Sequence, residues 1–250
     1  MDLRLDRFLC ELNIGTRSQV KAFIRQGIVA VGGVPAKDPN QRIDELSDRV
    51  TFRGKPLEYR RYIYYMMNKP EGVVSATRDN VSRTVVSLLG KDAREDIFPV
   101  GRLDKDVTGF LLLTNDGDLA HRLLAPRRHV DKTYLAVLAH SLGQPEIRRL
   151  EAGVDIGEER PTLPARVELL TEDDGRKEDK TIRENKVLLT LHEGKFHQVK
   201  RMLQAVGNEV VGLQRVAFGG LRLDPELEPG EYRELTEEEL AILRESCMEV

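Results

Sequence analysis

The chain has 250 residues, 40% of them hydrophobic and 32% charged, with a net charge of -3. This is the composition of a globular protein long enough for one large domain or two unequal ones, and it excludes a disordered chain. No apolar run approaches the roughly 18–20 residues of a membrane-spanning helix, and Met1 to Asp6 has neither a signal-peptide core nor an acid-poor transit segment, so a cytoplasmic protein with no membrane partner is expected.

In chain order, residues 1–58 read as a small separate module. Leu5, Phe8, Leu9 and Leu12 follow helical spacing, and Gly15 closes that helix. Thr16 is placed to cap a second helix over about Arg17 to Gln26, closed by Gly27. Ile28 to Val31 predicts a strand, Gly32-Gly33 a tight hairpin turn and Val34 the return. A further short pair flanks Gly54. On the second helix Arg17, Lys21 and Arg25 recur at i, i+4 and i+8 as one basic stripe, with Val20, Phe23 and Ile24 turned to the core. Such a stripe is either a solvated face or a nucleic-acid contact.

Residues 59–62 read as a linker, and 63–250 as the main domain. Ile63 to Met67 predicts a strand stopped by Pro70 and Gly72, and Thr84 to Leu89 a short helix. A strand at Phe110–Thr114 leads to a helix at Asp118–Leu124, a strand at Lys132–Leu138 and a helix at Pro145–Ala152. Strands at Arg166–Thr171 and Lys186–His192 flank a charged insertion, Glu172 to Glu184. Phe196 to Val206 predicts a helix, Glu209–Val216 and Gly219–Leu223 strands, and Glu237 the start of a last helix. Helices mixed with strands, without a βαβ rhythm, argue for an α+β fold on a mostly antiparallel mixed sheet.

Residues 1–150 carry +6 and residues 151–250 carry -9, so the net charge conceals a basic surplus in the first part. Cys10 and Cys247 stand alone near the two ends, and His192 and His197 lack metal-ligand spacing, so neither a disulfide framework nor a metal site is expected. Val100 to Gly109 places Asp104 near Arg102 on a glycine-bounded bend before the apolar run Phe110 to Leu113. A reactive carboxylate held at the lip of a cleft has this pattern, and so does an ordinary solvated loop before a core strand. Asp106, Asp116 and Asp118 are read as turn formers and helix caps.

Three segments, Val100 to Gly117, Asp131 to Tyr134 and Glu193 to Met202, together resemble the pseudouridine synthases of the RsuA type. Arg4-Leu5-Asp6, the basic helix and the Gly27 to Gly33 hairpin resemble the S4 RNA-binding domain. The resemblance implies an S4-like domain followed by a synthase domain that converts a uridine of RNA to pseudouridine by flipping it out of its stack, without a cofactor. It assigns Asp104 as the catalytic carboxylate, acting either covalently or as a base at C2'. Arg102 would fill the gap left by the flipped nucleotide, Tyr134 would stack on the base, and Lys200 would be the ion-pair partner of Asp104, because a buried carboxylate stays charged only beside a cation. Arg4, Arg17, Lys21, Arg25 and Arg201 are the implied RNA contacts. Val107 stands where the family has a small or hydroxyl residue, and its side chain is expected to pack. Lys195 to Asn208 looks like the branch acting on small-subunit RNA, which implies uridine 516 of 16S RNA in a partly assembled subunit and a monomeric enzyme. A synthase for 23S RNA and a non-catalytic RNA-binding assembly factor are the alternatives.

Overall fold

The structure is a computed structural model and describes residues 2–44, 47–57, 61–170 and 185–248. The insertion expected at 172–184 lies outside them. By contacts the chain divides into two compact units, Met1–Ile63 with Gly90–Ile97, and Tyr64–Leu89 with Phe98–Val250. The adherence of residues 90–97 to the small unit has no counterpart in the division at 59–62. It is held by the Asn13 amide, which donates to the carbonyls of Lys91 and Ala93, and by Arg94 against Glu11.

In the small unit, strand β1 (Asp2–Arg4) precedes helices α1 (Leu5–Glu11) and α2 (Arg17–Arg25). Thr16 and Gln19 form a reciprocal capping box that starts α2. Strands β2 (Val29–Val31) and β3 (Val34–Pro35) form the expected hairpin. Gly32 and Gly33 both have positive φ, the conformation a two-residue turn of this twist demands. β4 (Arg42–Asp44) pairs with β1, a contact too short to show in the sequence pattern. β5 (Val50–Phe52) and β6 (Lys55–Pro56) complete the second small sheet. Leu5, Phe8, Leu9, Val20, Ile24, Val29, Ile43 and Val50 form its core.

The large unit is built on one sheet. Its strands are β7 (Tyr64–Lys69), β8 (Phe98–Pro99), β9 (Thr108–Thr114), β10 (Lys132–Leu138), β11 (Arg166–Leu169), β12 (Lys186–Leu191), β13 (Val210–Phe218), β14 (Leu221–Arg222) and β15 (Tyr232–Glu234), with main order β11-β12-β10-β13-β9-β7-β15. Neighbours are antiparallel except β9 and β13, so the sheet is mixed and mostly antiparallel. Helices α3 (Gly117–Leu124) and α6 (Glu237–Ser246) cover Met66, Phe110, Leu112 and Phe218. Helices α4 (Gln144–Ala152) and α5 (Gln198–Ala205) cover Ala136, Leu138, Val187 and Leu189. The helix expected from Phe196 begins only at Gln198, because His197 adopts a left-handed conformation (φ 49°) that no helix tolerates. Asp116 caps α3, accepting from the Leu119 amide at 3.0 Å. None of the described helices is long and apolar enough to cross a membrane.

The parallel contact of β9 with β13 depends on Gly109. Its φ is +98°, and a Cβ there would stand 2.3 Å from the Arg215 carbonyl oxygen and 2.7 Å from Gln214 Cγ. Gly109→Ala is therefore expected to lower the unfolding free energy by more than about 2 kcal/mol, combining overpacking with backbone strain. Urea denaturation checks this, and a wild-type midpoint would refute the constraint.

Candidate active site

The loop between Gly101 and β9 carries Asp104 and is tied down from below. The Ser75 hydroxyl donates to the Leu103 carbonyl at 2.8 Å and accepts from the Leu103 amide at 3.0 Å, and the Gly72 amide donates to the Lys105 carbonyl at 2.8 Å. Beneath them lies Lys69, the last residue of β7, with no exposed surface. Its ammonium donates to the carbonyls of Val107 at 2.8 Å, Pro70 at 3.1 Å and Lys105 at 3.4 Å. Burial lowers the Lys69 pKa to about 8, against the opposing pull of Asp106, Asp104 and Glu71. Val107 is 2% exposed, so its side chain packs under the loop in place of a hydroxyl.

Arg102, Asp104, Tyr134, His197 and Lys200 line one cleft, floored by Leu103, Val107 and Leu213. Tyr134 enters it from β10, half-buried, with its ring packed against the core under α4 and α5. The Asp104 side chain is 32% exposed and so is not the buried carboxylate expected. Its cationic partner also differs. Lys200 Nζ lies 2.5 Å from Asp106 Oδ2, whereas the atom near Asp104 Oδ1 is His197 Nε2, at 3.5 Å. The cause is the late start of α5. With His197 outside the helix, the imidazole occupies the side facing Asp104, and Lys200 on the first turn reaches the carboxylate two residues further on. The Lys200 ammonium holds the Asp106 carboxyl below the usual carboxylate range. Asp106 is thus an ion-pair partner as well as a turn residue.

Two of the arginines expected to contact RNA have partners within the protein. Arg201 donates through Nη1 to Glu158 at 2.6 Å and to the Phe196 carbonyl at 3.0 Å, and through Nη2 to the Ile156 carbonyl. It anchors the turn before α5. In the small unit, Arg4 lies against Asp6 with contacts of 2.6 and 3.0 Å. Arg17, Lys21 and Arg25 are exposed along α2, opposite the buried Val20 and Ile24, and Arg102 is exposed at the cleft.

Lys69 and His197 went unassigned in the sequence. A lysine ending an apolar strand just before a Pro-Glu-Gly turn was the available signal for the first. For the second there was none, since a left-handed residue between Gly194 and a helix leaves no periodicity. A partly exposed carboxylate beside an imidazole, a tyrosine ring and an apolar floor can receive a flat polar heterocycle and act on it as nucleophile or base.

Comparison with known proteins adds a lineage to this geometry. The family described as RNA pseudouridylate synthase matches residues 63–205, and the S4 domain matches residues 3–50. The chain is 51% identical to an uncharacterised RNA pseudouridine synthase of Bacillus subtilis, over 97% of this chain and 99% of that protein. It is 40% identical to ribosomal small subunit pseudouridine synthase A of Vibrio cholerae, over 96% and 98%. A crystal structure titled pseudouridylate synthase superposes with a TM-score of 0.66 at 37% identity, covering 96% of this chain and 99% of that one.

Replacing Arg17, Lys21 and Arg25 together with alanine is expected to leave folding intact and to flatten the salt dependence of RNA binding by up to about 2–3 in log–log slope. An unchanged slope would leave the stripe a solvated face. Lys69→Met leaves three loop carbonyls without their donor and is expected to cost about 1–3 kcal/mol of stability. The depressed amine pKa also sets a sign. Ionised Lys69 costs stability below about pH 8, and that cost fades as the pH rises from about 8 towards the ordinary lysine value of 10.5. Denaturation midpoints across that window should therefore rise less in Lys69→Met than in the wild type, and parallel curves would refute the burial cost.

Proposed function

The chain belongs to the RNA pseudouridylate synthase family and carries an S4 domain, and on that premise we propose that it isomerises a uridine of ribosomal RNA to pseudouridine with Asp104 as the catalytic carboxylate. The observation that supports this most is convergence. Arg102 and Asp104 from the loop, Tyr134 from β10 and Lys200 from α5 line one cleft, although they lie far apart in the chain.

The reaction breaks the C1'–N1 bond of the uridine, turns the detached uracil and joins C5 to C1', with C5 losing its proton and N1 gaining one. Asp104 either bonds to the nucleotide or removes the C2' proton, and both routes need an ionised carboxylate close to the sugar. His197 Nε2 stands 3.5 Å from that carboxylate, and the Lys69 ammonium lies beneath the loop that carries it. Tyr134 holds the loosened base by stacking, a contact worth about 1–3 kcal/mol. Arg102 enters the stack vacated by the flipped nucleotide and offsets part of an unstacking cost of a few kcal/mol. The exposed stripe of α2 supplies phosphate contacts that do not depend on sequence. No step requires a metal or a redox group, and the enzyme acts as a cytoplasmic monomer.

The target proposed is uridine 516 of 16S RNA in a partly assembled small subunit. Support comes from the relatives named for the small subunit and from the Lys195 to Met202 segment. Mapping pseudouridine in 16S and 23S RNA from cells with and without the protein tests the target, and a site lost only from 23S RNA would overturn the small-subunit assignment.

Asp104→Asn is expected to reduce pseudouridine formation to background while RNA binding stays near the wild-type level. Asp106→Asn, which removes the other carboxylate of the loop, is expected to retain substantial activity. Pseudouridine yield on isolated and ribosome-assembled 16S RNA is the measurement. Wild-type yield from Asp104→Asn would end the catalytic assignment.

A further inference from the structure

Phe196 is the most exposed aromatic ring among the described residues, with 72% of its surface in solvent. It is not a loose ring on a mobile tip. It lies stacked on the His197 imidazole, with centroids 3.8 Å apart and planes 19° from parallel. One face is therefore occupied and the other is left to solvent. The imidazole beneath it is the group whose Nε2 stands 3.5 Å from Asp104 Oδ1. A single ring thus separates Phe196 from the carboxylate.

The turn that carries the two rings is held from several sides. Arg201 donates to the Phe196 carbonyl at 3.0 Å and pairs with Glu158. The Lys195 ammonium donates to the carbonyls of Arg160 at 2.9 Å and Pro161 at 3.1 Å, and the Lys195 amide donates to the Gln198 side chain at 2.8 Å. Gln198 in turn donates to Glu193 at 2.7 Å. His197 keeps a left-handed backbone (φ 49°) that no helix or strand would require of it. These contacts present a rigid apolar plate to solvent where burial of the ring would otherwise be favourable. Arg102 and Lys200 line the cleft together with His197, the ring that backs the plate.

We propose that Phe196, backed by His197, is a stacking platform for an unpaired RNA base that neighbours the target uridine. The inference rests on the reading of Asp104 as the catalytic carboxylate. Taking a uridine out of its stack leaves the adjoining base with an unsatisfied face. A preformed aromatic plate next to the catalytic loop covers that face without regard to which base it is. Because the base stacks on Phe196, while Asp104 meets the imidazole at Nε2, the platform acts on RNA capture and not on the bond-breaking step.

The chain contains no tryptophan, so Phe196→Trp introduces a single indole at the platform. The probe is an RNA oligonucleotide containing the uridine that the wild-type protein modifies, with variants in which each flanking nucleotide in turn is abasic. Binding of the intact oligonucleotide is expected to quench the indole emission, and an abasic residue on one side is expected to abolish the quenching. Phe196→Ala and Phe196→Leu are expected to raise KM by roughly 5- to 150-fold with kcat near wild type, the range that one stacked base represents. Phe196→Tyr, which keeps the ring, is expected to retain the wild-type KM. Unchanged emission at saturating RNA, a wild-type KM for Phe196→Ala, or a loss confined to kcat would each overturn the platform. Quenching is read on binding alone and is repeated with Asp104→Asn added. Full activity of Asp104→Asn would sink the catalytic reading while leaving the stacking result to stand or fall separately.

Discussion

Everything at the cleft depends on a lysine that no solvent reaches. Lys69 spends its ammonium on the carbonyls of Pro70, Lys105 and Val107, which belong to the two turns that meet beneath Asp104. A loop outside the ladder of a sheet has carbonyls that need donors, and a buried cation serves several at once. The desolvation cost appears in the lysine's pKa, lowered to about 8. The return is electrostatic as well as geometric, since Asp104 and Asp106 both feel this charge from the protein side.

That arrangement revises an argument made from charge alone. A buried aspartate would require an adjacent cation, and Lys200 was the natural candidate on the third segment. Asp104 is only partly buried, its near neighbour is the His197 imidazole, and Lys69 lies beneath the loop. Lys200 is close enough to belong to the site, yet its short contact is to Asp106. The premise about burial, not the choice of segment, accounts for the difference.

Regular elements were readable because their signals are local. The Thr16 capping box, the Gly32-Gly33 turn and the apolar runs of β7, β9 and β10 each follow from a few neighbouring residues. The gathering of Arg102, Asp104, Tyr134 and Lys200 at one cleft was legible only through a resemblance, since nothing in their spacing brings β10 beside the loop. Other features were hidden for physical reasons. The left-handed turn at His197 has no periodicity, the edge strand β15 has only three residues, and the attachment of residues 90–97 to the small unit rests on long-range bonds from Asn13 and Arg94. The difference between Lys69 and an exposed lysine is one of tertiary burial, which the residue type alone would argue against.

The two carboxylates of the loop are separated by one residue and differ in what holds them. Asp106 is 60% exposed and its pair with Lys200 lies at the rim of the cleft, where water screens the attraction and such a pair contributes about 0–1 kcal/mol. Breaking that pair therefore costs little and leaves an exposed, already solvated carboxylate behind. Lys69 has no such freedom, because releasing it would strand three carbonyls in the interior. The cleft thus combines a fixed cation that shapes the loop with a weakly held one at its mouth.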